Sequence, residues 1–168
     1  MAEVLKGEEQ TEILANEAAT ARTKAVEELN KTGGTPQGRA ERAVVLFEQS
    51  ANYYKDAGVS HQAMVEYAVT GSLSNKNDLQ ERCIQNIEEL GKAYGYERYV
   101  QPLVAHVKNP DSSPGGRTAA LLMAESRAAE MRKLEKENVD PQKLKALKQE
   151  FDGLYVRAGL GRGFGDYR

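Results

Sequence analysis

The chain has 168 residues, of which 40% are hydrophobic and 29% charged, with a formal net charge of −2. That length suits one domain burying roughly 70% of its unfolded surface, and the composition is too apolar for a wholly disordered chain. The single cysteine, Cys83, excludes an intramolecular disulfide, and the longest apolar run, Ala119 to Ala124, is far too short for a membrane span.

A lone thiol without a secretory signal favours a reducing, intracellular address, cytoplasmic by default. An organelle interior is the alternative if a transit peptide has been removed. Charge is unevenly spread: residues 1–31 carry four basic and seven acidic groups, and residues 139–168 carry six basic and four acidic. This weak dipole is no polyanion-binding signature.

The expected fold class is all-α, with about seven helices stacked as antiparallel hairpins in a helical repeat or an irregular bundle. Alanine occurs 21 times, leucine 15 times and isoleucine three times. Ala and Leu lose little freedom in a helix, whereas β-branched residues lose more. The first helix is expected over about Glu8 to Asn30, where Leu14, Ala18, Ala21, Ala25 and Leu29 draw one thin apolar stripe. A linker near residues 31–36 follows, and Thr35-Pro36 supplies an N-cap and first-turn pair. The second helix, about Pro36 to Ala57, carries the cleanest pattern: Ala40, Ala43, Val44, Phe47, Ala51 and Tyr54. Gly58 is its stop. Ser60 is expected to cap a third helix with Ala63, Met64, Tyr67, Ala68 and Gly71 on one side.

The layout then repeats. Asn77 and Gln80 form a capping-box-like start, Leu79, Cys83, Ile87, Leu90 and Tyr94 form the stripe, and Gly95 ends it. A short helix, about Glu97 to Val107, points Tyr99, Val100, Leu103, Val104 and Val107 mostly inward. A turn-rich linker covers residues 108–117. Beyond it, Ala120, Met123, Ala124, Arg127, Met131 and Leu134 mark a sixth helix. Asp140 caps a seventh, with Pro141 at its first position and a coiled-coil-like seam of Leu144, Leu147, Phe151, Leu154 and Ala158. Residues 1–158 are thus expected to form one domain, followed by a flexible glycine-rich tail, residues 159–168.

The stretch Ala40 to Leu73, "AERAVVLFEQSANYYKDAGVSHQAMVEYAVTGSL", resembles a tetratricopeptide-type helix pair of the SNAP-like variety. Phe47 and Ala51, the "YYKDAG" turn, and Ala63 and Tyr67 carry the likeness. It departs in lacking an initial Trp and a proline closing the second helix. The resemblance implies a stack of helix pairs with a concave face that binds another protein.

Catalytic, cofactor and metal sites are not expected. Neither His61 nor His106 has a ligand three residues upstream, and one cysteine gives no zinc spacing. His106 reads as a partly buried structural histidine, His61 as a surface or capping one, and Cys83 as a buried thiol. Adjacent carboxylates such as Glu88 and Glu89, or Glu8 and Glu9, read as solvated, with nothing to force a carboxyl into an apolar pocket. "TGGTPQGR" lacks the Lys-Ser/Thr of a phosphate loop and follows a helix. "GLGRGFG" lacks dinucleotide spacing.

The functional expectation is a non-enzymatic protein–protein interaction module, an adaptor or structural subunit of a multi-subunit assembly. Tyr53, Tyr67 and Tyr94 are its expected groove residues. Arg157, Arg162, Phe164, Tyr167 and Arg168 are its expected tail contacts. The alternative is an RNA-binding or other nucleic-acid-associated subunit using the basic C-terminal segment.

Overall fold

The computed structural model describes residues 2–108, 117–138 and 140–157. Among them are seven helices and no strand: α1 (Ala2–Asn30), α2 (Pro36–Asp56), α3 (Ser60–Leu73), α4 (Asn77–Tyr94), α5 (Glu97–Lys108), α6 (Arg117–Glu137) and α7 (Pro141–Arg157). None is long and apolar enough to cross a membrane. The tail, residues 159–168, and most of the second linker lie outside the described residues.

Helix ends are set by local chemistry. The Thr35 hydroxyl accepts from Gly38 N–H at 3.0 Å, with Pro36 at the first helical position of α2. Gly58 ends α2 at φ +78°, where Val59 N–H reaches back to Tyr54 O and Gly58 N–H to Lys55 O. Gly95 repeats the motif after α4 at φ +76°, with Tyr96 N–H on Gly91 O. Both positions need the left-handed conformation that only glycine adopts without strain. Asp140 caps α7 through Lys143 N–H at 3.0 Å.

Two expected caps differ. Ser60 is the first residue of α3 and is buried; Val59 stands at the cap position without a side-chain bond. Asn77 likewise lies inside α4. Lys76 stands at the cap position without a side-chain bond; just before it the Ser74 hydroxyl accepts from Lys76 N–H, and Gln80 Nε2 donates to Ser74 O at 2.8 Å.

The architecture centres on α3, against which α2, α4, α5 and α6 all pack. Residues 60–72 are buried without exception, so α3 is enclosed all round, not one-sided as its sequence pattern suggests. A helix without a polar face belongs in the middle of a fold. Its hydroxyls are absorbed locally: Thr70 Oγ1 donates to Glu66 O and Ser72 Oγ to Val69 O.

Helix α1 lays Ala18, Ala21 and Ala25 against α2, and Ser50 donates to Ala18 O at 2.8 Å across that seam. The third hairpin, α6–α7, joins the core through α6. Its inward residues are Ala120, Leu121, Ala124, Glu125, Ala128 and Met131, while Met123, expected inside, is 46% exposed. The small turn of the stripe brings the unanticipated Glu125 into the interior.

Candidate functional site: a cleft and a buried carboxyl pair

Helices α2 and α4 lie side by side on α3 and run in the same direction. Arg82 donates to both oxygens of Glu48 at 2.9 and 3.1 Å, and Lys55 donates to Asn86 at 2.8 Å further along. Toward their N-termini the two helices enclose a cleft of about 610 Å³, closed at one end by the α3–α4 turn. Ala40, Val44, Val45, Leu73 and Leu79 supply its apolar surface, and Glu41, Glu48, Lys76, Asp78 and Arg82 its charged rim. Val45 is 58% exposed, an aliphatic side chain on a helix otherwise polar on that side. With Arg82 neutralised by Glu48, the rim keeps Glu41 and Asp78 against Lys76, a small excess of negative charge.

A second constellation lies inside. Glu66 on α3 and Glu125 on α6 are both fully buried. Glu125 Oε1 receives Gln62 Nε2 at 3.3 Å and stands 3.7 Å from Arg22 Nε of α1. Among the described residues no N–H donor reaches either oxygen of Glu66 or Oε2 of Glu125 at hydrogen-bonding geometry, and the Ser50 hydroxyl beside Glu66 donates to Ala18 O. Burial first, and then the neighbouring Glu125, holds the Glu66 carboxyl well above the usual carboxylate range. Glu125 is raised too by burial, but Glu66, Arg22 and Gln62 all favour its charged form. Burial thus favours one proton on the pair over two bare carboxylates.

Cys83 is fully buried, and burial pushes its thiol up to about 12. Among the described residues no group of three or more His, Cys, Asp or Glu side chains is placed to hold a metal. The glycine loop before α2 turns its carbonyls toward Arg39, whose Nη1 donates to Gly33 O and Gly34 O. Glu9, Glu88 and Glu89 are exposed.

The expected groove tyrosines do not meet. Tyr67 is a correction: it is fully buried, with its hydroxyl on Asn52 Oδ1 at 2.5 Å, so it is a core residue and faces no groove. Tyr53 is half-buried against the core. Tyr94 is 53% exposed at the far end of α4 from the cleft. Arg157 is exposed at the end of α7, and Arg162, Phe164, Tyr167 and Arg168 lie outside the described residues.

His61 is a second correction. It is buried, and its ring stacks on Tyr96 and Tyr99 at 5.1 and 4.6 Å between centroids. Several basic side chains of the third hairpin are engaged in ion pairs: Arg127 with Glu150 at 2.7 Å, Lys143 with Glu130 at 3.5 Å, and Lys136 with Glu12.

The sequence did not point to the cleft or to the carboxyl pair. Exposed Val45 beside Val44 was the one visible signal for the first. For the second it was Glu66, a lone acid in a run of small and apolar residues. No protein-family model, curated protein or solved structure matches the chain.

Proposed function

We propose that this protein is a non-enzymatic protein-binding module, of the helical-repeat kind that the Ala40–Leu73 stretch resembles, and that the cleft between α2 and α4 is its binding surface. The single observation that carries this reading is the cleft's make-up: an aliphatic floor that includes exposed Val45, rimmed by charge. Partner sites in proteins commonly combine an apolar centre with a polar rim.

The rim decides the partner's chemistry. A short segment with one aliphatic or aromatic anchor fills the floor, and a neighbouring Lys or Arg meets Glu41 and Asp78. An acidic segment meets repulsion from the same pair. Gly58 and Gly95 end α2 and α4, the two helices that wall this surface. The ion pairs of α6–α7 lower the free positive charge that a nucleic-acid reading would need.

The test is a capture experiment with wild-type protein and Val45→Asp. Stoichiometric capture of a defined protein by wild type, lost in the variant with its fold intact, supports the reading. Equal capture by both, or recovery of nucleic acid alone, overturns it.

A further inference from the structure

The α6–α7 hairpin is fastened to the rest of the molecule through an interface containing two buried acids. Glu66 comes from α3 and Glu125 from α6, and the Arg22 guanidinium of α1 stands 3.7 Å from Glu125. Two carboxylates and one guanidinium would leave a net buried charge and three oxygens without a donor, each costly away from water. A proton shared between the acids removes one charge and lets one carboxyl donate to the other.

We propose that Glu66 and Glu125 form a proton-sharing latch that holds the α6–α7 hairpin on α3 and loosens when the shared proton is lost. This rests on the interior geometry and is independent of the cleft.

The groups around the latch can be named helix by helix. From α1 comes Arg22, which favours the charged form of either acid. The Ser50 hydroxyl of α2 stands beside Glu66. From α3 comes Gln62, bonded to Glu125. The titratable groups of α4 and α5 buried against α3 are Cys83, Tyr99 and His106, and His61 stacks on the α5 side. Asp152 of α7, on the outer side of α6, has one shielded oxygen.

The direction follows from linkage. Folded Glu66 titrates above its unfolded counterpart, so the stability it contributes is complete below the ordinary carboxylate range. It is lost as pH rises from that range through the raised folded value. At most about tenfold in the folded-to-unfolded ratio is lost per pH unit for one proton.

The test compares full-length wild type with Glu66→Gln, which keeps the shape without a titrating proton. Hydrogen-exchange protection of residues 117–157, corrected for intrinsic rate, is followed from pH 5 to 8.5. Wild type is expected to lose protection there with rising pH, and Glu66→Gln to stay level. Parallel profiles overturn the latch. If the variant does not fold, carbon-13 NMR of the wild-type glutamate carboxyls decides: one titrating above pH 6 supports the latch, and none doing so overturns it.

Discussion

Gly71 of α3 and Val107 of α5 meet so closely that a Cβ built on Gly71 would lie 2.8 and 2.9 Å from the two Val107 methyl carbons, and 3.4 Å from Cys83 Cβ. Three helices converge on one missing side chain. Valine has a single preferred rotamer in a helix and cannot swing aside. Gly71→Ala is therefore expected to destabilise by about 1–3 kcal/mol, despite the better helix propensity of alanine. In a Val107→Ala background the same Gly71→Ala change should cost less, because the methyls it would meet are gone. A double-mutant cycle by urea denaturation measures it.

Arg22 neutralises the carboxylate half of the buried pair. Arg22→Met leaves Glu125 without its cation and is expected to cost about 3 kcal/mol at pH 7. With the cation gone, both acids favour the protonated form more strongly. The variant should therefore regain stability as pH falls toward 5, over a range where wild type changes less. Urea midpoints at pH 5 and pH 7.5 check both the size and the sign.

Much of the fold was legible from spacing alone. The Leu14–Leu29 stripe, the Thr35-Pro36 start, both glycine stops and the Asp140 cap depend on neighbours within a turn or two, and these are what a sequence displays. The enclosure of α3 was not legible, because its mix of small, apolar and polar residues gives no periodic stripe. Glu66 and Glu125 are 59 positions apart, and nothing in the sequence places α6 against α3. Tyr67 was misplaced for a similar reason. A tyrosine reads equally well as groove or core until its hydroxyl partner, Asn52 on the preceding helix, is seen.

Cys83 has no exposure, and its thiol is pushed up to about 12 by burial. The reactive thiolate is scarce at neutral pH, and reagents cannot reach it without opening of the α3–α4–α5 core. Labelling by a chromogenic disulfide reagent is expected to be slow in buffer, to follow the unfolding rate, and to become rapid in denaturing urea. Rapid native labelling would contradict the packing described.

The Thr35 cap is a smaller, local test. Thr35→Ala removes the acceptor for Gly38 N–H and is expected to cost about 1 kcal/mol. Thr35→Asp should retain the cap and most of the stability. Thermal melts followed by circular dichroism distinguish the two.

The binding surface is tested most directly by a photo-crosslinking residue, p-benzoylphenylalanine, placed at Val45 and, as a control, at exposed Glu88 of α4 outside the cleft. After irradiation in native extract, one predominant crosslinked protein is expected from position 45. Its attached segment should carry an apolar anchor beside Lys or Arg, and position 88 should yield little. An acidic segment, or equal yields from both positions, would contradict it.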